Sequence, residues 1–199
     1  MSLSTSSTAA KSGLPQLLDT LGLAGICLTL IVAFYYQLYL AELPCPLCLL
    51  QRVGLVVAGF GFMFNLQFGA KGAHYGIVIV GALTTAMIGA RQVLLHILPG
   101  DPGYGSTFLG LHFYSWSLIS ALLILLAVAL ILMVRDWLAI PLPKLALARW
   151  GRMASLLFVL LIAANLISTV LECGALHSQA IFIPRQSNLR PCCLVMNKT

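Results

Sequence analysis

The sequence predicts an all-α integral membrane protein, a four-helix transmembrane bundle with a fifth transmembrane helix added to it. Two observations carry that prediction. Of 199 residues, 60% are hydrophobic and only 8% charged, with mean hydropathy +1.00, so a water-soluble globule would expose far too much apolar surface. The apolar residues also fall in runs that reach or exceed the roughly 18 to 20 residues needed to cross a bilayer. None of these runs alternates as a barrel strand would, and unpaired backbone groups are prohibitively costly in hydrocarbon, so each run is expected to be a helix.

The spans are expected at about Leu21 to Leu40, Leu49 to Phe68, Ala73 to Leu95, Tyr114 to Val134 and Met153 to Leu171. In the second, Gly54, Gly59 and Gly61 allow close approach of a neighbouring helix. The first span is longer than the apolar core of a signal peptide, and no small-x-small cleavage site follows it, so it is read as a retained helix. Three regions result: a disordered cytoplasmic tail at 1–13, a five-helix membrane domain at 14–171 and a cysteine-containing periplasmic tail at 172–199.

Orientation follows from the basic residues. Arg135, Lys144, Arg149 and Arg152 cluster in one connector and Lys71 sits in another, so the positive-inside rule places both connectors in the cytoplasm together with the N-terminus. The residues 41–48, 96–113 and 172–199 then face outward. Arg52 and Arg91 lie near outer helix ends, and Arg185, Arg190 and Lys198 lie in the outer tail, which runs against the rule. The net charge of +6 reflects this distribution and does not point to nucleic acid, since no basic stripe is interleaved with aromatics.

On this topology Cys45, Cys48, Cys173, Cys192 and Cys193 all fall on the face where disulfides persist, and only Cys27 lies within a helix. Cys27 reads as packing. The informative stretch is Pro44-Cys45-Pro46-Leu47-Cys48-Leu49-Leu50-Gln51-Arg52. A Cys-x-x-Cys closes a small reversible disulfide, and the prolines delay the helix, leaving Cys48 near its amino end, where the partial positive charge favours a thiolate. Arg52 follows Cys48 by one helical turn and lies on the same face. Its guanidinium is suited to stabilise a thiolate and to hydrogen-bond an electron-rich oxygen.

Blander readings exist for each feature. Half a zinc site would need further ligands, for which only His96, His112 and His177 are available on that face. An arginine near a helix end commonly just reaches for the headgroups. The combination of Cys45, Cys48 and Arg52 is what favours redox chemistry.

These residues, supported by Phe108-Leu109-Gly110-Leu111 and Trp116, resemble the DsbB family of membrane disulfide-bond formation proteins, over about Leu14 to Val134. The resemblance implies a thiol oxidase of the bacterial inner membrane, with its active site periplasmic. Such an enzyme reoxidises a periplasmic DsbA-like thiol oxidase of thioredoxin fold and passes the electrons to ubiquinone or menaquinone. It implies Cys48 beside the quinone, Arg52 in contact with it, and Cys45 exchanging with another disulfide. Arg91 and Gln92 would border the quinone, Gln92 standing where the family often has histidine. The membrane-facing partner is the lipid bilayer.

One departure matters. The family's second outer loop carries its own cysteine pair, whereas residues 96–113 contain none and are marked by Pro99, Gly100, Pro102, Gly103 and Gly105 as turns. Cys173 with Cys192 or Cys193 is expected to replace that pair, either as a shuttle or as a static staple of the tail. Adjacent Cys192 and Cys193 do not bond each other, because neighbouring α-carbons about 3.8 Å apart fall short of the usual disulfide range. Tyr104, His112, Tyr114 and Trp116 read as an interfacial belt, and His96 as a solvated interfacial histidine, with a second polar contact to the quinone as its alternative. Two rival classes are a noncatalytic scaffold with structural disulfides and a conduit carrying reducing equivalents outward. A quinone-reducing enzyme of the vitamin K epoxide reductase type shares the helix-borne Cys-x-x-Cys, but the residues around the motif fit DsbB better.

Overall fold

The computed structural model describes residues 13–39, 45–98, 100, 103, 107–134 and 144–180. They form α1 (Gly13–Tyr39), α2 (Pro46–Phe68), α3 (Gly72–Leu95), a small hairpin of β1 (Thr107–Phe108) and β2 (Leu111–His112), α4 (Phe113–Val134) and α5 (Lys144–Ala180). Five stretches are long and apolar enough to cross a membrane: Leu14–Tyr39, Pro46–Phe68, Gly72–Leu95, Phe113–Met133 and Arg149–Leu171. The all-α membrane architecture expected from composition is the one observed.

The helices start and stop for local reasons. Pro46 occupies the first turn of α2, where its missing N–H costs nothing, and Cys45 caps the helix in extended conformation. At the other end Gly69 has φ 84°, a left-handed geometry that releases the chain into a short link to α3. That link forces α2 and α3 to run antiparallel side by side. Their backbones then approach so closely that a Cβ on Gly54 would meet Thr85, and one on Gly81 would meet the Ala58 backbone. Gly59 instead faces the ring of Phe158 on α5.

α5 is longer than expected at both ends. No proline interrupts the chain between Pro143 and Pro184, so nothing ends the helix at Leu171, and it continues to Ala180. Cys173, expected just beyond the fifth helix, therefore lies within its span. Cys192 and Cys193 fall outside the described residues.

α2 lies at the centre, against α3, α1 and α5; α4 closes on α3, and α5 on α1. Leu23, Ile26, Cys27 and Leu30 form one stripe of α1 and meet Leu55, Ala58 and Phe62 of α2 and Phe158 of α5. Large apolar residues also point outward on every helix, among them Leu28, Val53, Leu83, Leu123 and Leu160. Meanwhile Asp19, Gln37, Gln51, Asn65, Thr85, Gln92 and Ser117 are buried. That inversion, apolar outside and polar inside, suits a hydrocarbon solvent, where polar groups must find partners within the protein.

The buried polar residues gather at two ends of the bundle. At one end Asp19 accepts from Asn65 Nδ2 (3.3 Å) and from the Tyr75 hydroxyl (3.2 Å), joining α1, α2 and α3. The other end holds the cysteines.

Candidate active site

Cys45 and Cys48 form a disulfide with α-carbons 5.1 Å apart. The local sequence builds it. Pro46 starts the helix directly after Cys45, so the Cys48 N–H has no helical acceptor and turns to the Cys45 sulfur, 3.0 Å away. The next amide, of Leu49, donates to the Cys45 carbonyl at 3.0 Å and completes the first turn. Cys45 is buried, at 8% exposure, and Cys48 is half-buried.

Both sulfur-bearing residues line a mostly apolar cavity of about 250 Å³ between α1, α2 and α4. Its walls include Ala33, Tyr36 and Gln37 from α1, Gln51 and Arg52 from α2, and Tyr114, Trp116 and Ser117 from α4. Phe108 of the hairpin covers one side. It is held there by the Trp116 indole N–H, which donates to its carbonyl at 2.8 Å, and by ring contacts to Trp116 and Tyr36.

Arg52 is braced from two other helices. Its guanidinium donates to Gln37 Oε1, to the Ala33 carbonyl at 3.1 Å and to Asn165 Oδ1 at 3.4 Å. Gln37 in turn donates to Ser168 Oγ at 2.9 Å. The planar fork of the guanidinium is what allows one side chain to address several acceptors at once. A fixed cation in an apolar cavity beside a disulfide is a setting in which negative charge developing on a bound molecule is stabilised strongly.

A second network runs from the cavity wall to the disulfide. Ser117 Oγ donates to Gln51 Oε1 (2.7 Å), Gln51 Nε2 donates to Gln92 Oε1 (2.9 Å), and Gln92 Nε2 faces both sulfurs, 3.5 Å from Cys45 and 3.8 Å from Cys48.

The structure thus brings together Cys45, Cys48, Arg52 and Gln92. Arg91 and Gln92, expected to border the quinone, do not line the cavity beside Arg52. Consecutive helical residues point about 100° apart, so only one of them can face the bundle. Gln92 does so and meets the sulfurs, whereas Arg91 is exposed beside Met87 and Leu94. His96 stacks on Tyr114 (5.6 Å between ring centres), which stacks on His112 (5.1 Å), an aromatic column of which Tyr114 lines the cavity. Gln37, Gln51, Ser117, Asn165 and Ser168 escaped the sequence reading. Their signal was present as amide and hydroxyl side chains inside apolar runs, which are costly unless partnered. Which helix supplies the partner is not written in the run itself.

Residues 16–104 match the family model described as disulfide bond formation protein DsbB. A disulfide bond formation protein B of Chromobacterium violaceum is 36% identical over 99 residues, covering 46% of this chain and 60% of the relative. Those of Nitrosomonas eutropha and Xanthomonas campestris pv. campestris are each 37% identical, over 71 and 90 residues, or 34% and 43% of this chain and 44% and 51% of the relatives. The chain thus spans about half the length of the curated relatives it matches. No solved structure matches it. The matched segment holds α1, α2 and α3 with the Cys-x-x-Cys and Arg52, and leaves α4 and α5 outside. Over residues 16–104, which carry the disulfide at the head of α2, the chain is similar to the DsbB family.

Proposed function

We propose that this chain is a membrane thiol oxidase that reoxidises a periplasmic DsbA-like dithiol oxidase and passes the electrons to a membrane quinone, ubiquinone or menaquinone. The observation that carries the reading is the Cys45–Cys48 disulfide set in the wall of an apolar cavity that also holds the Arg52 guanidinium. The cavity suits the head of a quinone: mostly apolar walls, Tyr36, Leu55 and Phe113 among them, with Arg52 as the cation and Gln37, Gln51 and Ser117 among the polar side chains. Arg52 and Gln37 are the residues that would hold its oxygens. The quinone supplies oxidising power, accepting two electrons and two protons per disulfide made.

The chain's own residues do the rest. A partner's thiolate attacks an outer-face disulfide, and exchange delivers both electrons to Cys45 and Cys48. Cys48, half-buried at the cavity wall, is the sulfur that hands them on, and Arg52 offsets the negative charge that develops opposite it. Cys45 exchanges with the incoming disulfide. Cys173, with Cys192 or Cys193, takes the place of the cysteine pair absent from residues 96–113. Support for that assignment comes from α5: Asn165 and Ser168 reach Arg52 and Gln37, and Cys173 follows Ser168 by five residues, about 7.5 Å along a helix. The α5 end and the disulfide therefore share one end of the bundle, which the charge distribution assigns to the periplasm.

The test is quinone reduction by the purified protein supplied with a reduced thioredoxin-fold dithiol protein, wild type against Cys48→Ser. Turnover that disappears in the variant is the expected result. Absence of turnover in the wild type with both quinone types and several dithiol proteins would overturn the reading in favour of a scaffold.

A further inference from the structure

The network behind the disulfide has a direction. The Ser117 hydroxyl has one proton and the side-chain amides of Gln51 and Gln92 each have a donor end and an acceptor end, so fixing one orientation fixes the next. With Ser117 donating to Gln51 Oε1, the Gln51 amide N–H must face Gln92 Oε1, and the Gln92 amide N–H must face the sulfurs. Turning Gln92 alone would set two donors against each other at 2.9 Å, in a site where Gln92 is 2% exposed and water cannot relieve the clash.

The donors are unevenly shared between the sulfurs. Cys45 accepts from the Cys48 backbone N–H at 3.0 Å and from Gln92 at 3.5 Å, whereas Cys48 lies 3.8 Å from the same Gln92 amide. Cys45 thus meets two donors, the Cys48 N–H at the amino end of α2 and the Gln92 amide from the last turn of α3. A disulfide sulfur is a weak acceptor and needs neither; a thiolate is a strong one and gains from both.

We propose that Gln92 is a catalytic residue, donating to Cys45 and holding its sulfur as the thiolate once the pair is open, with Gln51 and Ser117 as positioning residues that keep the amide turned to donate. The proposal rests on the oxidase reading above and reassigns Gln92 from the quinone side of the disulfide to the sulfur side. When the pair closes, the Cys45 thiolate forms the S–S bond with Cys48, and two electrons leave to the quinone together with two protons. One of those protons comes from solvent, since Cys45 has already lost its own. Reversing both amides together, with Ser117 donating instead to the Tyr114 carbonyl at 2.9 Å, would present the Gln92 oxygen to the sulfurs, the setting that suits protonated thiols. The same three side chains thus accommodate thiol and thiolate, one orientation for each.

The experiment compares wild type, Gln92→Glu and Gln92→Leu. Gln92→Glu keeps an acceptor for Gln51 and a near-identical shape and, as a carboxylate, turns an acceptor toward the sulfurs, while Gln92→Leu removes the donor whatever the protonation of the site. The reduced proteins are treated with iodoacetamide at neutral pH, and modification of Cys45 is followed by peptide mass. Quinone reduction driven by a small dithiol is measured on the same samples. We expect Cys45 alkylation to slow roughly tenfold or more in both variants, the scale of a charge-assisted hydrogen bond. The quinone concentration giving half-maximal rate should stay as in wild type, because Gln92 does not line the cavity. Wild-type alkylation rates in both variants would overturn the proposal, as would a raised half-saturating quinone concentration with alkylation unchanged, which would return Gln92 to the quinone. Alkylation needs no quinone, so a wild-type protein that fails to reduce quinone would sink the oxidase reading while this measurement still reports on Gln92.

Discussion

Arg52 and Asn165 stand 113 positions apart in the chain, and the guanidinium of one donates to the amide oxygen of the other at 3.4 Å. The contact joins the head of α2 to α5, a helix that lies outside the segment shared with the DsbB family. With the bond from Gln37 to Ser168, it makes the fifth helix a brace for the cation of the site.

Removing that brace should loosen Arg52 without unfolding the protein. Asn165→Leu combined with Ser168→Ala is expected to raise the half-saturating quinone concentration about fivefold, the scale of one net hydrogen bond near 1 kcal/mol. Steady-state quinone reduction against quinone concentration checks this. An unchanged value would mean that α5 is an appendage to the site.

Arg52→Lys tests the guanidinium itself. An ammonium keeps the charge but cannot reach Gln37, Ala33 and Asn165 as a fork, so quinone reduction should fall by about tenfold or more. Full activity in Arg52→Lys would show that a positive charge alone, without the guanidinium fork, serves the site.

Cys173→Ser tests the proposed role of Cys173 as a shuttle. Oxidation of a dithiol protein should stop, while quinone reduction driven by a small dithiol continues, since Cys45 and Cys48 remain in place. Equal loss of both activities would exclude the shuttle.

Cys27 should prove dispensable to the chemistry. It is 1% exposed among Leu23, Leu30 and Phe158, with its sulfur 3.9 Å from the Ala154 carbonyl. Cys27→Ala is expected to keep full turnover and to cost about 1 kcal/mol of stability through a small cavity. Both are read from activity and the thermal midpoint in detergent.

Gly81→Leu should be the most damaging substitution away from the cysteines. Its side chain would enter the Gly54 and Ala58 backbone of α2, forcing the central helix pair apart at a cost of about 3 kcal/mol. A thermal midpoint equal to wild type would show that α2 and α3 are less closely apposed than the structure has them.

Much of this protein is legible in its sequence. The composition fixes the solvent, the run lengths fix the helices, and Pro46 after Cys45 places a disulfide at a helix start. The α5 boundaries were not legible, because hydropathy marks where a helix meets lipid, not where its hydrogen bonds end. Arg91 and Gln92 were read together because they are neighbours in sequence, and helical geometry separates them.

What the sequence determined by itself is therefore everything that depends on local chemistry and on partition between water and lipid: the all-α membrane class, the Cys-x-x-Cys pair at a helix start and the cation one turn below it. The tertiary structure alone decided which buried polar groups meet. Gln51 faces Gln92 and Ser117, and Arg52 faces Gln37 and Asn165, across sequence separations of 15 to 113 residues. In hydrocarbon every such group must find a partner, but any of several helices can provide one, and only the close seating of α2 among α1, α3, α4 and α5 selects which does.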